Sequence, residues 1–136
     1  MDNCIFCKII NGDIPSATLY EDEEFIALLD RFPCSLGHTL IIPKEHSKNI
    51  FDIDAKKAGR LFSLAVKIAT VLKDALGYDN LNVLQNNGEL AGQTVHHFHL
   101  HIIPRKASDS IDIKWSPLSL SDEKIDDIKT TIIEKF

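Results

Sequence analysis

HHFHLHII, residues 96–103, holds four of the six histidines of a 136-residue chain. In an extended strand alternate side chains share one face. On that geometry His97, His99 and His101 project together, while Phe98, Leu100 and Ile102 turn the other way into a core. Surface polarity explains any single histidine, but three in strict alternation with a fourth at His96 argue against it. A zinc cage built from all three is excluded by distance. Positions i and i+4 of a strand lie about 13 Å apart at a rise of ~3.3 Å per residue, whereas Zn–N bonds are only about 2.0–2.1 Å. At most two of the three share a metal, and the row presents its imidazoles along a ligand.

An imidazole can act as a nucleophile toward phosphorus, an acid toward a leaving group, or a donor to a phosphate oxygen. Just upstream lies AGQT, 91–94. There Gly92 permits close backbone approach, and Gln93 and Thr94 add donors. A donor-rich loop running into a row of histidines points to phosphoryl or nucleotidyl chemistry.

Outward from this stretch, LNVLQN (81–86) reads as a strand and NNGELAGQT (86–94) as a loop carrying two glycines. Upstream, ATLYE (17–21) and EFIALLD (24–30) read as two short strands, and GHTLIIPK (37–44) as a third closed by Pro43. From Asp54 the period changes: Ala58, Leu61, Phe62, Ala65, Ile68, Leu72 and Leu76 recur at spacings of three and four. That pattern predicts an amphipathic helix with Asp54 as N-cap and Gly77 as its stop. A last helix is expected from about Ser121 to Glu134, with Ser121 as N-cap and Ile125, Ile128 and Ile132 on its buried face. The order β-β-β-α-β-β-α, dominated by hairpin-length connections, predicts an α+β fold with a mostly antiparallel sheet of about five strands.

Length and composition set further bounds. A chain of 136 residues with 44% hydrophobic and 26% charged residues is expected to form one globular domain over 1–136. The net charge of −5 argues against binding to a nucleic-acid polymer, which leaves a basic footprint. A local phosphate site remains open, because backbone N–H groups bind anions without net positive charge. The N-terminus lacks a basic signal region and no apolar run approaches a membrane span, so a cytoplasmic location is expected. Cys4 and Cys7 form a CxxC, and Cys34 stands apart. In a reducing compartment that pair is half of a zinc site, a redox couple, or two unrelated cysteines.

The histidine row and its surroundings resemble a known family. HFHLHII is similar to the histidine-triad (HIT) pattern of three histidines alternating with apolar residues. GQTVHHFHLHIIPRKASD, 92–109, resembles the fragile-histidine-triad branch, while CIFCKIINGDIPSATLYEDEEFIALLD, 4–30, and GHTLIIPKEH, 37–46, resemble bacterial HIT proteins and the nucleotide-binding branch. The resemblance covers roughly residues 4–109 and leaves the C-terminal helix outside. It implies a HIT-like fold and a nucleotide-binding hydrolase or transferase that cleaves a nucleoside monophosphate, expected to be AMP. The conjugate would be a phosphoramidate, an acyl-nucleotide or a dinucleoside polyphosphate.

By position in the motif, His99 would be the nucleophile forming a nucleotidyl-histidine, and His101 would contact the α-phosphate and assist the leaving group. His38 would support the cluster as the family's fourth histidine. Gln93 and Thr94 would bind phosphate, with Gly92 allowing the approach and Asn86 nearby. Asp30 would accept the ribose hydroxyls, and Ile5 and Phe6 would wall the base. The resemblance to bacterial members further implies one structural zinc held by Cys4, Cys7, His46 and His97, and a homodimer. Cys34 is expected to be a packed small residue, His96 to sit at the start of the strand without a role, and Trp115 to lie in the core or at an edge. A nucleotide-binding sensor or interaction module with incidental catalysis is the alternative reading.

Overall fold

In the computed structural model, which describes residues 3–136, five strands form one open antiparallel sheet. Met1 and Asp2, the first residues of the expected domain, lie outside the described residues. The strands are β1 (Thr18–Glu21), β2 (Phe25–Leu29), β3 (Thr39–Pro43), β4 (Asn80–Leu84) and β5 (Leu100–Arg105), in the spatial order β1-β2-β3-β5-β4. The α+β expectation, with its mostly antiparallel sheet, holds.

Each face of the sheet has its own cover. The 22-residue helix α2 (Ala55–Leu76) packs Leu61, Leu64, Ala65, Ile68 and Leu72 against Phe25, Ala27, Ile41, Leu100 and Ile102. Its caps are the expected ones. Asp54 accepts from the Lys57 N–H, and Gly77 closes the helix in the left-handed region at φ 74°. The buried stripe differs at its edges, because Phe62 and Leu76 are exposed and Leu64 takes a core position instead. A seven-residue list read at spacings of three and four is wider than the surface this sheet covers.

The opposite face is closed by a helix that the sequence pattern did not announce, α1 (Ile5–Ile10). Its six residues are too few to show a period, and its N-cap is a thiol: Cys4 Sγ accepts from the Cys7 N–H at 3.4 Å. Phe6 packs there with Ile26, Leu28, Leu40 and Ile42.

Two further expectations are corrected. The histidine strand begins at Leu100, not at residue 96, because the preceding main chain is used elsewhere. The Phe98 N–H bonds the Ser47 carbonyl at 2.7 Å, and the His97 carbonyl is taken by a side chain. The last helix, α3 (Asp122–Ile133), forms with Ser121 as its cap, yet Ile125, Ile128 and Ile132 stay 41–54% exposed. Trp115 is likewise 81% exposed, not in a core or edge position. The PRKASD segment ends β5 in a clamp, in which the Arg105 guanidinium forks onto both Asp109 oxygens and also donates to Asn82.

Gly37, just before β3, has φ +93°, and a Cβ there would come within 2.6 Å of Leu76 Cδ1. Gly37→Ala is therefore expected to destabilise the fold by about 1–3 kcal/mol. Gly59, inside α2 with open space around it, provides the contrast: Gly59→Ala should stabilise by about 0.5–1 kcal/mol. Urea unfolding midpoints of the two variants check both signs.

Candidate active site

Strand parity and register gather the site on the face covered by α1. Leu28 pairs with Leu40, and Leu40 with His101, so these three share a face. By the same parity Asp30 follows Leu28, His38 precedes Leu40, and His99 precedes His101. The consequence is a compact cluster. His99 and His101 ring centroids are 4.9 Å apart, and His38 Nε2 lies 2.9 Å from His101 Nδ1 and 3.5 Å from Asp30 Oδ2. Alternation survives the shortened strand, since Phe98, Leu100 and Ile102 lie in the α2-side core.

The proton on His99 is placed by its surroundings. His99 Nδ1 lies 2.7 Å from the carbonyl oxygen of His97. A carbonyl can only accept, so Nδ1 carries the hydrogen and Nε2 keeps its lone pair. Burial pushes the His99 pKa below its ordinary value, opposed by this hydrogen bond and by Asp30. Burial also lowers His38, against the opposing pull of Asp30. His101 is pushed down to about 4, first by burial and then by His99 and His38. The cluster is thus a set of neutral imidazoles near pH 7.

These residues open onto a cleft of about 980 Å³, lined by Asp30, His99 and His101 on one side and by Ile5, Phe6, Ile9 and Ile14 on the other. Phe6 is buried and sets its ring edge-on to His99 at 5.0 Å, whereas Ile5 is half exposed at the mouth. Thr94 also lines the cleft. Gln93 does not: its Nε2 donates to the Lys48 and Val95 carbonyls, and its Oε1 accepts from the Gly88 N–H. Expected as a phosphate donor, its side chain is instead committed to bracing the loop. Gly92 has φ +91°, and a Cβ there would make only ordinary contact with Asn86, so backbone conformation sets its identity. Asn86 Nδ2 donates to the Gly92 carbonyl at 3.4 Å.

A second cluster stands behind the first. One ligand atom each from Cys4, Cys7, His46 and His97 lies within 4.8 Å of the others. His97 Nε2 donates to the Pro43 carbonyl at 2.7 Å, leaving Nδ1 bare and 3.3 Å from Cys4 Sγ. His46 Nδ1 lies 3.5 Å from Cys7 Sγ. Two thiols and two imidazoles whose free atoms converge are a donor set that suits a tetrahedral metal. His97 thus parts company with His99 and His101, which is compatible with the limit that strand spacing sets.

Two site features escaped the sequence. The acceptor for His99 is a main-chain carbonyl, and no residue type signals that. Cys34, expected to be packed, is exposed with its thiol 3.3 Å from His38 Nδ1. His96 is exposed, its Nε2 3.9 Å from a Glu89 oxygen.

Residues 11–108 match the HIT domain family. A HIT family protein from Bacillus anthracis superposes with a TM-score of 0.93 at 43% identity, covering 99% of this chain and 98% of its own. Adenosine 5′-monophosphoramidase hnt1 from Schizosaccharomyces pombe is 39% identical over 98% of each chain. A zinc-bound histidine triad family protein from Mycobacterium smegmatis has a TM-score of 0.78 at 37% identity, covering 85% of this chain and 84% of its own. The chain belongs to the HIT family.

The depressed His101 value carries a stability consequence. In the unfolded chain His101 takes up a proton near 6.5, in the folded chain only near 4. The unfolded state therefore binds more protons in that window, and stability falls as pH drops from about 6.5 to about 4. Urea midpoints measured across this range should decline, and His101→Gln should make the decline shallower.

Proposed function

We propose that this protein is a nucleotidyl hydrolase that releases a nucleoside monophosphate, with AMP as the favoured product, from a phosphoramidate conjugate. The observation that carries the reading is the His99 hydrogen bond to the His97 carbonyl, which leaves a bare Nε2 on a ring lining the cleft. The name of the fission-yeast relative, a monophosphoramidase, supports the phosphoramidate over acyl-nucleotides and dinucleoside polyphosphates.

In this mechanism the His99 Nε2 lone pair attacks the α-phosphorus, and the leaving group departs with the electrons of the bond that breaks. His99 becomes an N-nucleotidyl imidazolium, its Nδ1–H still held by the His97 carbonyl. Water then attacks phosphorus and the Nε2–P bond returns its electrons to His99. The proton the leaving amine gains is made good by that water, with solvent in the cleft carrying it. His101 donates to the phosphate oxygens as charge builds there, and His38 holds His101. Thr94 adds a donor from the cleft wall, while Gln93, Gly92 and Asn86 shape the loop that presents it. Asp30 accepts the ribose hydroxyls, and Ile5 and Phe6 flank the base.

The same reading gives Cys4, Cys7, His46 and His97 one zinc ion. Four protein donors leave no open position, so the metal cross-links α1 to the sheet and takes no part in the chemistry. The zinc-bound mycobacterial relative supports this. A second copy of the chain is part of the proposal too, covering the apolar residues that α3 leaves exposed.

Brief reaction with an adenosine phosphoramidate, quenched in alkali, should yield an intact-mass shift of one adenylyl group. His99→Ala should lose the adduct, with kcat lowered by on the order of 10³-fold or more. Bound nucleotide with neither adduct nor AMP release would instead make the chain a binding module. For the metal, native mass spectrometry should find one zinc per chain, absent from Cys4→Ser/Cys7→Ser. That variant should melt roughly 5 °C or more lower, a shift equivalent to ~1–2 kcal/mol. Turnover by its folded fraction should fall far less than in His99→Ala.

A further inference from the structure

We infer that Cys34 is a positioning residue of this site, acting through His38 to place the proton of His101 on the ring nitrogen turned away from His38. Only the kinetic consequence rests on the proposed hydrolase. Cys34 lies in the connection between β2 and β3, and two of its polar groups converge on one atom. Its main-chain N–H is 3.2 Å from His38 Nδ1, and its thiol sulfur is 3.3 Å from the same nitrogen.

A main-chain N–H can only donate, so His38 Nδ1 must be bare, and the neutral ring carries its hydrogen on Nε2. That Nε2–H faces two acceptors, His101 Nδ1 at 2.9 Å and Asp30 Oδ2 at 3.5 Å. Because His101 Nδ1 receives this hydrogen bond, it too is bare, and the neutral His101 ring holds its proton on Nε2. His101 lines the cleft, so the arrangement supplies an N–H to the ligand where the opposite tautomer would supply a lone pair.

The reverse arrangement fails for a specific reason. If His101 donated from Nδ1, His38 would have to accept at Nε2 and carry its own hydrogen on Nδ1. That hydrogen could turn to the Cys34 sulfur, but the Cys34 N–H would then meet a donor head on and lose its acceptor. The main chain at Cys34 thereby sets the direction of the relay. The thiol, able to give or take a hydrogen bond, follows the direction that the main chain sets. Asp30, an acceptor beside His38 Nε2, favours the same tautomer from the other side of the ring.

The test uses the full chain labelled with ¹⁵N-histidine. Two-bond ¹⁵N–¹H correlations of the wild type should show both His38 and His101 protonated on Nε2. Cys34 is exposed, so Cys34→Ala leaves the core intact. This variant keeps the main-chain N–H, so His38 and His101 should both stay protonated on Nε2, whereas Cys34→Pro, which removes that N–H, should admit the second tautomer at His101. The kcat of Cys34→Pro should fall by about two- to tenfold at unchanged KM, while Cys34→Ser, which keeps the N–H and a hydroxyl in place of the thiol, should match the wild type in both readouts. A wild-type His38 protonated on Nδ1 would overturn the inference. So would a folded Cys34→Pro protein whose histidine ¹⁵N spectrum matches the wild type, or a Cys34→Ala protein that populates the second tautomer. If no conjugate is turned over at all, the hydrolase reading falls, and the ¹⁵N spectra alone still decide where the protons sit.

Discussion

The architecture of the site hangs on His97. Its ring is fully buried, and a buried imidazole is costly unless both nitrogens have partners. The Pro43 carbonyl takes Nε2–H, which leaves Nδ1 to the two thiols at the start of α1. Its own carbonyl, meanwhile, receives the His99 Nδ1–H. One residue therefore ties the end of β3, the N-terminal helix and the most buried imidazole of the cleft into a single unit. Anything that moves α1 moves Phe6, whose ring edge rests on both His97 and His99. The Cys/His cluster, though outside the cleft, is thereby coupled to residues that line it.

The second constraint is charge. A chain with net charge −5 offers a phosphate no broad positive field. What it offers instead is a pocket of neutral imidazoles kept so by burial, with one carboxylate beside them. A neutral imidazole keeps the lone pair that a nucleophile needs and still has one N–H to give. Which nitrogen does which is then the decisive variable. The surrounding main chain settles it at His99 through a carbonyl and at His38 through an amide N–H.

Much of this was legible in the residues. The alternation of 97, 99 and 101 survives although the regular strand covers only its second half, because side-chain direction depends on extended backbone and not on ladder pairing. The distance limit showed that the three histidines cannot share one metal, the resemblance singled out His97, and the caps at Asp54, Gly77 and Ser121 are local chemistry that a sequence displays openly. The errors have a common origin. α1 is too short to show a period and is capped by sulfur. Phe62, Leu76 and the isoleucines of α3 are apolar at helical spacing, but periodicity reports which face is apolar, not whether anything covers it. Gln93 is a good donor in any alignment of residue types, yet its polar atoms are spent on the loop that holds it.

The sequence by itself determined the set of imidazoles, the face they share, the closely spaced pair of cysteines and the family to which the chain belongs. These follow from residue identity and from the period of two in extended chain. Tertiary structure alone decided the proton positions, since they depend on main-chain groups brought in from elsewhere: the His97 carbonyl for His99, the Pro43 carbonyl for His97 and the Cys34 amide for His38. Every residue carries a carbonyl and nearly every one an N–H, so composition cannot mark the few that matter. Only the folded chain, by placing one of them against a particular ring nitrogen, gives each histidine its task.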